Sequence, residues 1–421
     1  MLRVVDPSRG DALPIAVGFA LDRRVSDGVK EICDRVRDEG DAALIDITRS
    51  HDGADVTGRL RVSDEEIESV IVEDDLWNAL DAMAERLRDL HARQRFDSWE
   101  QERHGVVFGE LVRAIGSVGC YVPGGRAAYP SSVLMTVIPA KVAGVERVAV
   151  CSPPTADGSL PAAVLAAVRI AGADEVYRVG GAQAIAALAF GTETISPVDK
   201  IVGPGGTWVT AAKREVAGTV GIDGLAGPSE LVIVADESAR PDVLACDLLA
   251  QAEHDPAARA ILVAIGDGES MAHRVDERLR EELERSPRRE VAGEALASAF
   301  VVVVPDEAGA VAIVDRLAPE HLQVVTQDPR GFLKRARAFG AAFLGPHTPV
   351  AFGDYGIGSN HVLPTMATAR FGSGLRTADF TITSSFVQAS AEAVSRFGPE
   401  VELVAASEGL PGHARTVQLR R

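Results

Sequence analysis

Between Arg147 and Val304, short runs rich in β-branched residues alternate with Ala-rich runs of helical length. This alternation constrains the fold more than any other feature. Arg147–Cys151, Glu175–Val179, Lys200–Val202, Glu230–Ala235, Ala260–Ile265 and Phe300–Val304 read as strands. Pro161–Ala171, Ala182–Phe190, the run from Gly206 to Ala217, Arg240–Ala252 and a charged run through Glu284 read as helices. Such spacing gives crossover connections and parallel pairing, so the prediction is an α/β architecture. Ala143–Pro154 (AGVERVAVCSPP) and Ala226–Ser238 (AGPSELVIVADES) each place a strand after an Ala-Gly turn. This faint echo would fit two halves of a duplicated nucleotide-binding-like unit.

The flanks read differently. Residues 1–110 are charged and show helical spacing over Ser26–Glu39 and Asp74–Arg95, which predicts a helical N-terminal region. The strand–helix texture divides into a first unit over 111–230 and a second over 231–345. Residues 345–379 are rich in Gly, Pro, Ser and Thr, a functional loop or a linker, and helices are expected over Ser385–Phe397 and near Glu400–Ser407. Residues 346–421 thus read as a loop plus a helical tail.

Composition closes off several classes. The net charge of −18 argues against a nucleic-acid partner, because phosphate contact needs a basic face. The longest apolar stretch, Ser132–Val148, contains Pro139 and Lys141 and is too short to span a bilayer, so no membrane role is expected. The N-terminus lacks the apolar core of a signal peptide. No two of the four cysteines stand at CxxC spacing, which fits buried thiols in a reducing compartment. A cytoplasmic protein is the expectation.

Four of nine histidines sit in dense polar surroundings: His254 after Gln251, His321 after Pro319-Glu320, His361 after Asp354 in a Gly-rich stretch, and His413 after Glu408. Each alone has an ordinary structural use, such as a helix-terminal dipole partner. Gln251 and His254 are three apart on an expected helix and would share one face. With Asp354 and another His they would make an N/O donor set suited to zinc. Glu320-His321 offers a carboxylate beside an imidazole, a common base and proton shuttle; Pro319 would start a helix there, with Glu320 in its first turn. The strand–turn–helix at Val202-Gly-Pro-Gly-Gly206 could bring backbone to a phosphate or be a tight turn. In Tyr129-Pro-Ser-Ser, the serines could cap the following helix.

Seven segments in collinear order resemble the histidinol dehydrogenase family. They are Tyr121–Met135 (YVPGGRAAYPSSVLM), Val179–Ala187 (VGGAQAIAA), Ala226–Glu230 (AGPSE), Leu249–His254 (LAQAEH), Ala318–Leu322 (APEHL), Gly353-Asp-Tyr with Ser359–Thr365 (SNHVLPT), and Glu408–His413 (EGLPGH). The resemblance implies two incomplete Rossmann-like parallel-sheet units, a helical N-terminal region and a small C-terminal extension. It implies zinc held by Gln251, His254, Asp354 and His413, and Glu320 and His321 as the catalytic acid-base pair. It implies substrate contacts from Ser229, His361 and Glu408 as well as from Gln251, His254, His321, Asp354 and His413, and NAD contacts at Tyr121, Gln183 and the Gly206 position. It further implies a homodimer with shared active sites, each tail completing the partner's site. The implied reaction takes L-histidinol to L-histidine in two hydride transfers through bound L-histidinal.

Two positions depart from the family pattern. Gly206 stands where the family usually has an Asn that contacts the cofactor, which removes one hydrogen bond; Trp208 is expected to fill the vacated space. Phe380–Phe386 (FTITSSF) lacks a basic residue the family commonly carries. A paralogue oxidising another small alcohol with zinc and NAD is therefore the second reading. A non-enzymatic metal-binding protein would predict decay of the ligand set or the catalytic pair, and all six of those residues are present.

Overall fold

The computed structural model describes residues 2–14, 22–125 and 127–421. Arg126, within the Tyr121–Met135 segment, lies outside them. Two parallel sheets organise the chain. The first runs Glu175–Arg178, Arg147–Ser152, Ser117–Tyr121, Lys200–Val202 and Gly221–Ile222 across its width. The second runs Arg3–Val5, Phe300–Val304, Arg259–Ile265, Glu230–Ala235, His321–Val325 and Ala341–Leu344. Numbered by order of appearance, the five strands of the first sheet lie third, second, first, fourth, fifth. Leaving out Arg3–Val5 at its edge, the second sheet repeats that winding.

The repeat agrees with a duplicated unit, but the sequence echo is one strand out of step. Ala143–Pro154 contains the second strand of its sheet, whereas Ala226–Ser238 contains the first. Buried parallel strands of Val, Ile and Ala look alike whatever their position, because both faces must be apolar. Both faces of the first sheet are covered: one apolar cluster joins Ile201 to Val29, Leu44 and Ile185, another joins Val150 to Leu87, Leu134 and Val168. The second sheet is likewise packed on both sides.

The N-terminal region is helical over Arg23–Glu39, Asp41–Asp52, Asp64–Glu68 and Asp74–Ala92, but not throughout. Arg3–Val5 joins the second sheet beside Phe300–Val304. Trp99–Arg103 and Val106–Ala114 form a separate antiparallel sheet with Thr381–Ala389. The expected helix over Ser385–Phe397 is therefore half strand: β-branched and small polar residues pair with Val106–Ala114, and the helix begins only at Ala391, capped by Ser390. That helix runs unbroken to Ser407 through Pro399 and turns back in Pro411–Gln418. His321–Val325, where Pro319 predicts a helix, is a strand, and Ala341–Leu344 is a further one beside it.

In open α/β sheets, ligands bind where the winding reverses. In the first sheet this lies between Tyr121, ending one strand, and Val202, ending its neighbour. Gly203 follows with φ 115°, and a Cβ there would stand 2.2 Å from the Tyr121 carbonyl oxygen. Only glycine fits. Gly206 is the opposite case: its φ of −70° suits any residue and a Cβ would meet nothing within 4 Å. Gly203→Ala is expected to lose about 2–3 kcal/mol of unfolding free energy by strain and overlap, and Gly206→Ala to stay near wild type, as read by urea denaturation of both variants.

Candidate functional site

At the reversal of the second sheet, the parallel strands Glu230–Ala235 and His321–Val325 run side by side with Leu231 opposite His321. The residues just before each strand therefore meet. Ser229 Oγ donates to Glu320 Oε2 at 2.7 Å, and the Glu230 backbone N–H donates to the same oxygen at 2.8 Å. His321 Nδ1 lies 3.1 Å from the Glu230 carbonyl oxygen. A carbonyl only accepts, so the proton of the neutral ring sits on Nδ1 and Nε2 keeps its lone pair. Nε2 faces Asp354 Oδ1 at 3.8 Å.

Glu320 begins no helix. The helix Glu307–Leu317 ends at Ala318 in left-handed backbone (φ 44°), and the chain enters a strand after Pro319-Glu320. The expected dipole stabilisation is absent and the electrostatic sign reverses. Burial raises the Glu320 pKa above the usual carboxylate value, opposed by His321 and by the two donated hydrogen bonds. Backbone strain and a buried carboxylate at one point are a pattern of functional sites.

His361 joins from the Gly-rich segment. Its Nδ1 donates to the Asp354 carbonyl oxygen at 3.2 Å, leaving Nε2 to accept from Ser132 Oγ at 3.3 Å. Desolvation pushes its pKa down against the pull of Asp354. Ser132 was expected to cap the helix Pro130–Ala143; instead Pro130 occupies the first turn and the Ser132 side chain turns to His361. Proline at that position needs no capping acceptor for a missing N–H. Its motif could have pointed to Ser132, but its partner lies 229 residues away. A second unforeseen contact is buried Gln323, two residues beyond His321, whose Nε2 donates to Asp247 Oδ2 at 2.7 Å.

The proposed metal donors divide. Gln251 lies in the last turn of the helix Pro241–Ala252 and is buried, its amide nitrogen without a partner among the described residues. His254 lies beyond that helix, not on it, exposed but one tight turn away through its N–H to the Gln251 carbonyl at 3.4 Å. Its charge acts on His361, so it stands near the cluster. Asp354 ends the short helix Ala351–Asp354. Glu408 and His413 are exposed on the C-terminal helical hairpin, and among the described residues neither side chain bonds to the cluster. Among those residues no three His, Cys, Asp or Glu side chains of one chain converge to enclose an ion. Gln251, His254 and Asp354 carry N and O donors of the types zinc takes, three where a zinc site uses four.

A cavity of about 870 Å³ connects the two sheet reversals. Ser229, Glu320 and His361 line one part and Gly203–Gly205 another. Carboxyl ends of first-sheet strands thus face amino ends of second-sheet strands across one space. Tyr121 is buried, its hydroxyl accepting from the Gly181 N–H at 3.2 Å, and Gln183 lies buried in the helix that Gly181 begins. Trp208 does not fill the space at Gly206: its ring packs on Gly28 of the N-terminal helix, within 2.9 Å of where a Cβ would stand. Nothing in the structure explains the missing basic residue in Phe380–Phe386.

The comparisons agree with this architecture. The family model described as histidinol dehydrogenase matches residues 20–421. A histidinol dehydrogenase of Geobacillus kaustophilus is 47% identical over 414 residues, covering 96% of this chain and 97% of that protein. One from Methanothermobacter thermautotrophicus is 48% identical over 396 residues, covering 93% of this chain and 92% of its own length. The crystal structure of histidinol dehydrogenase from Elizabethkingia anophelis superposes with a TM-score of 0.94 at 33% identity, covering 100% of this chain and 98% of that one. With the family model matching residues 20–421 and a solved member sharing the fold over the whole chain, the chain belongs to the histidinol dehydrogenase family, a family of NAD-dependent oxidoreductases.

Proposed function

We propose that this protein oxidises L-histidinol to L-histidine, the last chemistry of histidine biosynthesis, in two successive steps at the Glu320–His321 cluster. The observation that carries this reading is the single cavity joining Glu320 to the glycine loop at the first-sheet reversal. It lets an alcohol at the carboxylate face a dinucleotide lying along Gly203–Gly205. NAD, when bound, takes up a hydride in each step. Zinc, when bound, supplies a fixed positive charge that orients an imidazole and an amine; Gln251, His254, Asp354 and His413 would hold it. Gln251 would ligate through its amide oxygen, which exchanging the two ends of the buried amide brings to where Nε2 stands unpaired among the described residues.

The chain's own residues account for the protons. His321 Nε2, free and basic in the tautomer that Glu230 fixes, receives the alcohol proton. Oxidation of CH₂OH to an aldehyde removes two electrons. The aldehyde then needs water, and Glu320 is the base: one oxygen is tied to Ser229 and Glu230, leaving the other for the water proton. The resulting hydrate loses two more electrons to become a carboxylate. A pKa raised by burial makes Glu320 a stronger base than an exposed carboxylate. Half-enclosed walls keep the intermediate in place.

We also infer a homodimer with shared sites. The C-terminal arm exposes Leu403 (73%), Val404 (57%) and Val387 (72%), an apolar surface that calls for a cover. The same arm carries Glu408 and His413, which the cluster of one chain lacks. A partner's arm would supply both. No helix of the described residues is long and apolar enough to cross a membrane, and all four cysteines are free, which supports a reducing cytoplasm. The paralogue reading has the departure at Gly206 in its favour, and substrate trials decide between the two.

With histidinol limiting, two NADH per substrate are expected at completion; one NADH would limit the enzyme to the alcohol step, and none would send the assignment to another small alcohol. Glu320→Gln should cut turnover by roughly 10²–10⁴-fold while zinc content stays at the wild-type level. Mixing Glu320→Gln with His413→Ala subunits should restore about a quarter of wild-type activity, the statistical share of sites combining an intact core with an intact partner arm. Independent sites would restore none. Gly206→Asn fits the local backbone and space, and should lower the KM for NAD about two- to tenfold by regaining one hydrogen bond; an unchanged KM would remove position 206 from the cofactor contacts.

A further inference from the structure

His91, at the end of the helix Asp74–Ala92, is fully buried, and the chemistry above does not use it. Its Nε2 lies 3.2 Å from Asn360 Nδ2 and its Nδ1 2.9 Å from Gln94 Oε1. The neighbours fix the orientation of both amides. Asn360 Nδ2 also donates to the Met135 carbonyl at 2.7 Å, and its Oδ1 accepts from the Val362 N–H at 2.9 Å. Gln94 Oε1 also accepts from the Thr377 N–H at 3.2 Å. His91 therefore donates from Nδ1 and accepts at Nε2, which requires the neutral ring. Burial supports this by holding its pKa below the ordinary histidine value.

These bonds grip two places at once. Asn360 opens the segment 360–377, and Thr377 closes it with its Oγ1 donating to the His91 carbonyl at 2.7 Å. The Leu375 N–H to Val362 carbonyl bond, 2.8 Å, draws the neck together. Between these ends lie His361 and part of the lining of the cavity that holds Ser229 and Glu320, including Leu363, Thr365 and Phe371.

We propose that His91 is a positioning residue: through Asn360 and Thr377 it staples both ends of the segment 360–377 and so holds His361 and the cavity wall in register with Glu320. His91 itself touches no reacting group. The turnover part of the proposal rests on the cavity being the histidinol site; the stapling part does not.

Two arms test it on the full-length protein. In amide hydrogen exchange, His91→Phe should speed the Val362, Leu375 and Thr377 amides at least about tenfold, while sheet amides such as Val232 and Val263 keep wild-type rates. In turnover, His91→Phe should lower kcat/KM for histidinol about tenfold or more. His91→Gln, whose amide oxygen can accept from Asn360, should recover most of that loss. His91→Phe combined with His361→Ala should lose less than the product of the two single losses, because the two share the contribution of His361. Unchanged exchange in 360–377, a uniform rise across the protein, or multiplying losses in the double variant would each overturn the proposal. If His91→Phe does not fold, Gln94→Met removes the amide oxygen that joins the His91 ring to the Thr377 N–H and leaves the ring in place. Its Leu375 and Thr377 amides should still exchange severalfold faster, and wild-type rates there would overturn the proposal. If wild-type protein oxidises no histidinol, the functional reading fails and the exchange arm alone decides the staple.

Discussion

Two hydrogen bonds onto one oxygen of Glu320, from Ser229 Oγ and from the Glu230 N–H, are the point on which the site depends. They exist because two parallel strands, ninety residues apart in sequence, start level with each other at the reversal of the second sheet. The same register puts the Glu230 carbonyl under His321 Nδ1 and so selects the ring's tautomer. Moving either strand by one residue would turn every side chain to the other face of the sheet. Catalytic geometry and sheet register are here one constraint.

The site uses the sheets in opposite senses. Ligands of open α/β sheets lie beyond the carboxyl ends of the strands, and the glycine loop after Val202 obeys this. Glu320, His321 and Ser229 lie at the amino ends of the second sheet. With both sheets wound alike, the two ends face each other across one cavity. A hydride donor and acceptor must approach within contact distance, and two facing reversals provide such a meeting place. The exposed C-terminal arm carries apolar surface, together with Glu408 and His413, away from the cavity of its own chain.

Electrostatics at the cluster follow from burial more than from ion pairing. Glu320 is pushed toward its protonated form and His361 toward its neutral form by the same loss of water. Opposing charges nearby, His321 for the acid and Asp354 for the imidazole, offset part of this. The acid is thereby made a stronger base and the imidazole a weaker one than either would be in water.

Much of this was legible in the amino-acid sequence. Strict alternation of buried strands and Ala-rich helices is a local property, so the α/β class and most elements from Arg147 to Val304 could be read directly; grouping Gln251, His254, Glu320-His321 and Asp354 rested on the family resemblance, because spacing carries no signal between separate segments. Where local patterns were ambiguous, tertiary structure decided. Pro319-Glu320 reads locally as a helix start, and only pairing with Glu230–Ala235 made the residues that follow it a strand. Thr381–Ala389 became a strand because Val106–Ala114 offered an edge. Ser132 and His91 gained their partners through contacts spanning 229 and 269 residues, distances at which spacing carries no signal. The sequence by itself determined the layers and the chemical groups; the tertiary structure alone decided the strand order, the tautomers and which groups meet, because those depend on register between segments that no local propensity encodes.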